Sequence, residues 1–171
     1  GGMFRRLDWR FWKPDGTAGD WRAPRPRNTY EGPAVPLPAR WDRQIISVDP
    51  TFRHTTKGSK VAMHVWGAAG AGRYLLDRVS DRMYFNDCVD ALLSLMRRWP
   101  RARERVIEGK ANGDAIVSTL TNRHGITGLI LENPGSDNKE QRARAMLPYQ
   151  RAGNVYLPEG ADWLEDFIEE H

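Results

Sequence analysis

The sequence predicts an α/β domain: a mixed sheet whose first three strands are antiparallel and whose later strands return in parallel through helices lying on both faces. Three observations point to it. Between residues 43 and 80, three short runs rich in β-branched or alternating apolar residues follow one another through tight turns. Apolar residues then recur at helical spacing over 84–99, and strand-like and helix-like patterns alternate from there to residue 171.

The first strand is R-Q-I-I-S-V-D-P (43–50), stopped by Pro50 with Asp49 at its C-terminal end. A polar turn, T-T-K-G-S (55–59), leads to K-V-A-M-H-V-W-G-A (60–68), and the G-A-A-G-A-G hairpin leads to R-Y-L-L-D-R-V-S (73–80). Strands joined by such short turns pair antiparallel. Phe85, Val89, Leu92, Leu93, Met96 and Trp99 mark one face of a helix that ends before Pro100. A fourth strand in R-E-R-V-I-E-G-K-A-N-G (103–113) ends at Glu108, and its return through a helix makes it parallel to an earlier strand. A short helix over 114–123 and a fifth strand in G-I-T-G-L-I-L-E-N (125–133) form a second crossover. Residues 138–152 read as a helix, V-Y-L-P (155–158) as a short edge strand, and 161–171 as an amphipathic helix with Trp163, Leu164, Phe167 and Ile168 on one face.

The 171 residues suit one ordinary domain with a sizeable core. A lone cysteine, Cys88, excludes an internal disulfide, and no apolar run approaches the roughly 20 residues that span a bilayer. The N-terminal segment has no apolar signal, so an intracellular protein, or an excised part of one, is expected.

The net charge of +4 is unevenly spread: residues 1–43 carry nine Arg/Lys against five Asp/Glu, and the remainder is neutral. Four of the seven tryptophans (Trp9, Trp12, Trp21, Trp41) and six of the eleven prolines lie in the same stretch. Residues 1–42 are therefore expected to form a basic, Pro/Trp-rich arm or linker, and 43–171 the folded domain. The arm has two readings: a strap that offers arginines to phosphates and tryptophans to bases, or a linker pinned by its aromatics to the domain.

Two carboxylates stand out because they terminate buried strands. Asp49 ends the first strand and Glu108 the fourth, and the crevice outside strand carboxyl ends is the usual ligand site of an open α/β sheet. Neighbouring strands would bring both acids into one cleft, where a divalent cation relieves their repulsion. Hard oxygen ligands suit Mg²⁺ or Mn²⁺. Taken singly, Asp49 could cap a turn before Pro50, and Glu108 could pair with Lys110 or Arg105.

Other chemistry has little support. His54, His64, His124 and His171 show no zinc-site spacing. G-A-A-G-A-G-R (67–73) lacks the G-K-[ST] ending of a phosphate loop, and Cys88 sits beside the apolar face of the crossover helix.

The series I-I-S-V-D-P-T-F (45–52), Y-L-L-D (74–77), V-I-E-G-K-A-N-G (106–113), D-N-K-E-Q-R-A-R-A (137–145) and G-N-V-Y-L-P-E-G (153–160), with W-R-F-W (9–12) ahead of it, resembles the C-terminal nuclease domain of tailed-phage terminase large subunits. The resemblance covers nearly the whole chain and implies a ribonuclease H-like fold. It further implies a two-metal endonuclease, using Mg²⁺ or Mn²⁺, that cuts concatemeric double-stranded viral DNA during packaging. Asp49 and Glu108 match the family's first-strand and fourth-strand metal ligands, and Lys110 and Asn112 belong to the motif after Glu108. Lys139 and Arg142 match its basic positions, either as phosphate contacts or as solvent-facing helix charges.

In the family a third acid follows the helix that corresponds to 161–171, so a truncation ahead of that ligand is expected, with impaired activity. Asp77, Asp81 and Asp137 are poor substitutes for it. The implied partners are double-stranded DNA and, in the full-length protein, the ATPase domain, the portal and the small terminase subunit. A monomer free of membrane is expected, in the cytoplasm of an infected bacterial host at the procapsid portal. Two alternatives remain open: a non-catalytic DNA-docking module, and another ribonuclease H-like nuclease such as a resolvase.

Overall fold

The computed structural model of the chain describes residues 3–16, 20–50, 58–109, 111–132 and 136–171, with the side chains of residues 111, 136–140 and 142 outside that description. Among the described residues, seven strands form one mixed sheet: β1 (Arg10–Trp12), β2 (Arg43–Pro50), β3 (Ser59–Ala69), β4 (Gly72–Met83), β5 (Glu104–Glu108), β6 (Leu129–Glu132) and β7 (Val155–Pro158). Four α-helices among the same residues accompany them: α1 (Phe85–Arg98), α2 (Ala111–His124), α3 (Ser136–Arg151) and α4 (Leu164–Glu170). The strand order is β1-β7-β4-β3-β2-β5-β6, antiparallel through β2, β3 and β4 and parallel beyond. Among the described residues no helix is long and apolar enough to cross a membrane.

Two compact units divide the chain. The first comprises residues 1–43, 66–77 and 139–171, and the second 44–65 and 78–138.

In the first unit, β7 pairs in parallel with β1 on one side (Phe11 opposite Leu157) and with β4 on the other (Tyr74 opposite Tyr156). Val155–Pro158 is thus an inner strand, correcting the expectation of an edge strand. The edge position belongs to β1, inside a stretch whose prolines mask a three-residue strand from any periodicity argument. Residues 1–43 supply core as well as covering. Trp9 and Trp12 are each 1% exposed, which leaves neither ring face open to a base. Trp9 packs edge-on against Phe167 at 5.6 Å, while the Trp12 indole Nε1 donates a 2.9 Å hydrogen bond to the Leu75 carbonyl. Trp21 meets Trp163 edge to face at 5.7 Å. Behind it, the Ala23 N–H donates to the Gly160 carbonyl, and Gly160, at φ +89°, has no room for a Cβ, which would sit 2.6 Å from the Trp21 carbonyl oxygen. The 67–73 segment is a hairpin: its turn falls at Gly70 and Ala71, and the Asp42 carboxylate accepts a 2.8 Å hydrogen bond from the Gly70 N–H.

In the second unit, α1 buries Cys88, Val89, Leu92, Leu95 and Met96, spaced three and four apart on one face. It ends where Pro100 cannot continue it. β6 is shorter than the 125–133 expected, because Gly125 (φ +63°) and Gly128 (φ +74°) bend the approach into a loop.

Candidate active site

The site is assembled by the register of three parallel strands in the second unit. β2 and β5 pair with Val48 opposite Ile107, so Asp49 and Glu108 are the next residues on the two strands. β5 and β6 pair with Glu108 opposite Glu132. Three acids therefore stand in a row across the C-terminal edge of adjacent strands, which are about 4.8 Å apart.

The row lies on one face of the sheet. Register partners in parallel strands point the same way, and successive residues point to opposite faces. Ile46, Val48 and Ile107, each 0–1% exposed, belong to the covered face. α2 packs on that face, since a Cβ on Gly113 would lie 2.8 Å from Leu131 Cδ1, and Leu131 is the register partner of Ile107. On the opposite face, with the acids, lie half-buried Ser47 and Val106 and the 48%-exposed Ile130. Glu108 is 9% exposed, and Asp49 and Glu132 are intermediate. All three interact with neighbouring groups.

Two glycines set Glu108 at the edge. Gly109 adopts φ +134°, a conformation that L side chains rarely adopt, and its N–H reaches the Glu132 carbonyl at 3.4 Å. This turn lets α2 begin at Ala111, earlier than the expected 114, so that Asn112 and Gly113 lie in its first turn. An added Cβ on Gly113 would sit 3.1 Å from the Glu108 carbonyl oxygen, so the missing side chain allows helix and strand to approach closely. The helix N-terminus, with its partial positive charge, falls just after Glu108 in the chain.

Of the residues singled out from sequence, Asp49 and Glu108 are brought to one edge, and Asn112 to the start of the helix that follows. Lys110 lies outside the described residues. Lys139 and Arg142 belong to α3 in the first unit, with their side chains outside the description. His54 also lies outside it, whereas His64 is half-buried and takes a 3.3 Å hydrogen bond at Nε2 from the Arg78 guanidinium Nε. Glu132 was not anticipated. The signal for it was present, because it ends an apolar run, Leu129-Ile130-Leu131, as Asp49 and Glu108 end theirs.

As a donor set, carboxylate oxygens on neighbouring strand ends suit a hard divalent cation. Among the described residues, however, no group of three or more His, Cys, Asp and Glu side chains meets closely enough to hold a metal ion. Asp49 and Glu108 fit such an ion as part of a ligand set and do not complete one. Cys88 offers no nucleophile: it is fully buried, and burial pushes its thiol up to about 12.

Residues 46–171 match a family model described as the terminase RNaseH-like domain. No match is found among curated protein sequences. Among solved structures, the large terminase nuclease of the thermophilic phage G20c, crystallised with bound zinc, is similar over 98% of this chain and 87% of that one, at 17% identity and a TM-score of 0.59. The large terminase of another thermophilic bacteriophage is similar over 78% of this chain at 13% identity and a TM-score of 0.53, and the match spans only 32% of that protein. The human cytomegalovirus terminase nuclease domain matches 76% of this chain and 73% of its own, at 14% identity and a TM-score of 0.52. At these identities the likeness is one of fold.

Proposed function

The chain belongs to the terminase RNaseH-like domain family, and from that premise we propose that it is the metal-dependent endonuclease module of a terminase large subunit, cutting concatemeric double-stranded viral DNA during packaging. The observation that carries the proposal is the register of β2 and β5, which sets Asp49 and Glu108 side by side at the open edge of a sheet with a ribonuclease H-like strand order.

Asp49 and Glu108 would hold Mg²⁺ or Mn²⁺, two ions in the complete site, with a further ligand from outside the described residues. Bound in such a site, the ions supply a lowered pKa for an attacking water and charge stabilisation for a departing 3′ oxygen. The metal-bound G20c nuclease is in keeping with this reading. The protein's own part is to hold the two carboxylates rigidly through the sheet register and the Gly109–Gly113 turn. Asn112, at the start of α2, offers its amide to a phosphate oxygen, and Lys110, Lys139 and Arg142 offer cations to the DNA backbone. The setting is the cytoplasm of an infected host at the portal, with the ATPase domain, portal and small subunit as partners of the full-length protein.

Nicking of supercoiled plasmid in Mn²⁺, in Mg²⁺ and in EDTA tests the proposal, with Asp49→Asn and Glu108→Gln beside the parent chain. Metal-dependent nicking that either substitution abolishes is the expected result. A second reading, a DNA-docking module without catalysis, draws on the absence of a three-residue metal cluster among the described residues. Binding of duplex that is indifferent to metal and to Asp49→Asn, with no nicking under any condition, would favour docking over cleavage.

A further inference from the structure

The second unit is polarised along its strands. Both crossover helices run back against the parallel strands, so their C-terminal ends gather at the edge opposite Asp49, Glu108 and Glu132. That edge is crowded with arginine. Residues 97–105 hold Arg97, Arg98, Arg101, Arg103 and Arg105 against the single acid Glu104, and α2 adds Arg123 and His124 in its last turn. The loop that follows α2 touches the first segment: the Arg105 N–H donates to the Gly128 carbonyl at 3.2 Å, the Arg105 Nη1 donates to the Thr127 carbonyl at 2.9 Å, and a Cβ on Gly128 would lie 2.7 Å from the Arg103 carbonyl oxygen. Arg97, Arg101, Arg103 and Arg123 are all exposed, and among the described residues none of the four makes an ion pair.

We propose that this arginine edge is a second contact for the phosphodiester backbone of duplex DNA, separate from the acidic edge where cleavage is assigned. The inference extends the proposed nuclease function and rests on DNA being the ligand. Cations at helix C-termini also complement the helix dipole, which accounts for Arg97 and Arg123. It does not account for Arg101 and Arg103, which stand on the connection between α1 and β5. The chain turns there, with the Arg103 N–H donating to the Arg101 carbonyl at 3.0 Å, and both side chains are exposed beside the start of β5. Duplex DNA presents a ladder of one negative charge per roughly 1.7 Å of axis, whereas protein carboxylates arrive singly. Guanidinium, planar and permanently charged, is the side chain best matched to phosphate oxygens. β5 spans five residues, about 17 Å at ~3.3 Å per residue. A duplex covers that distance in about five base-pair steps at 3.4 Å each.

The test is the salt dependence of binding to a fluorescent duplex in EDTA, where cleavage plays no part. The parent chain is compared with Arg97→Gln/Arg101→Gln/Arg103→Gln/Arg123→Gln and with Lys13→Gln/Arg22→Gln/Arg27→Gln/Arg40→Gln, which removes the same charge from exposed positions of the first unit. Each phosphate contact contributes about 0.9 to the slope of log affinity against log salt, so loss of four contacts lowers the slope by roughly 3 to 4. That fall is expected for the arginine-edge variant and a smaller one for the first-unit variant. Replacement of the same four arginines by lysine should keep the slope, which guards against a variant that merely misfolds. An unchanged slope, or equal falls in both glutamine variants, overturns the proposal. So does an arginine-edge variant that loses binding to polyglutamate with DNA binding intact, which would make the edge a protein contact. Duplex binding without metal-dependent nicking in the parent would favour the docking reading and leave these slopes interpretable.

Discussion

Glu108 and Glu132 are register partners on adjacent parallel strands, so two carboxyl groups start from backbone positions about 5 Å apart and project to the same face. Asp49 extends the row on the other side of Glu108. Like charges so arranged repel, and the fold accepts that cost at a strand edge where α2 begins with its positive end. The covered face of β2 and β5 buries Ile46, Val48 and Ile107 almost completely, while the face that carries the acids leaves Asp49 and Glu132 partly open and Glu108 only 9% exposed.

Glu132→Gln should weaken the use of metal without abolishing cleavage. A unit charge about 6 Å from a divalent cation is worth roughly 1.4 kcal/mol in water, a factor of about ten in affinity. The Mn²⁺ concentration giving half-maximal nicking should therefore rise roughly tenfold, with the maximal rate kept near that of the parent. A total loss of cleavage would make Glu132 a ligand in its own right, and an unchanged metal requirement would remove it from the site.

Much of this arrangement was legible in the sequence. Strand ends at Asp49 and Glu108 could be read because each closes a β-branched run, one before a proline and the other before a glycine. β1 could not be read, since Arg10–Trp12 is three residues long and shows no period. The inner position of β7 was hidden for the same reason, as only the pairing of β1 beyond it shows that Val155–Pro158 is flanked. The start of α2 was misjudged because Asn112 and Gly113 have low intrinsic helix preference, and close packing on Glu108 outweighs it.

Gly109→Ala should unfold the turn that carries Glu108. At φ +134° a side chain is strained, and its Cβ would meet the Gly113 backbone nitrogen at 2.9 Å. A cost of about 1–3 kcal/mol is expected for such a residue, with nicking reduced more than the stability loss explains because Glu108 moves. Gly70→Ala is the control: it also has positive φ, but its Cβ meets nothing within 4 Å. It should cost about 1–2 kcal/mol in urea unfolding and leave nicking intact. Equal effects of the two on nicking would show that Gly109 has no special part in positioning Glu108.

Trp12→Ala should destabilise the protein by about 3–5 kcal/mol, the range for emptying an aromatic site in a packed core. Trp12 is almost wholly buried, and its loss leaves the Leu75 carbonyl without the indole donor. Trp12→Phe should recover part of the loss, because the ring volume returns and the hydrogen bond does not. Urea midpoints of the three proteins decide the matter. A change below about 1 kcal/mol for Trp12→Ala would show that the N-terminal segment contributes covering and no core.

Stability should fall in alkali through Cys88. Burial holds its thiol protonated to about 12 in the folded chain, while an unfolded cysteine ionises near 8.5. Above that pH the unfolded state binds fewer protons than the folded state, so unfolding becomes more favourable as pH rises. The limiting slope is about 1.4 kcal/mol per pH unit between roughly 8.5 and 12. Tyr74, raised by burial first and by the Tyr156 charge second, pulls the same way at higher pH. Cys88→Ala removes the thiol contribution alone, so its urea midpoint should drop less than that of the parent between pH 7.5 and 9.5. Parallel falls in the two proteins would show that the thiol ionises as readily inside α1 as in the unfolded chain.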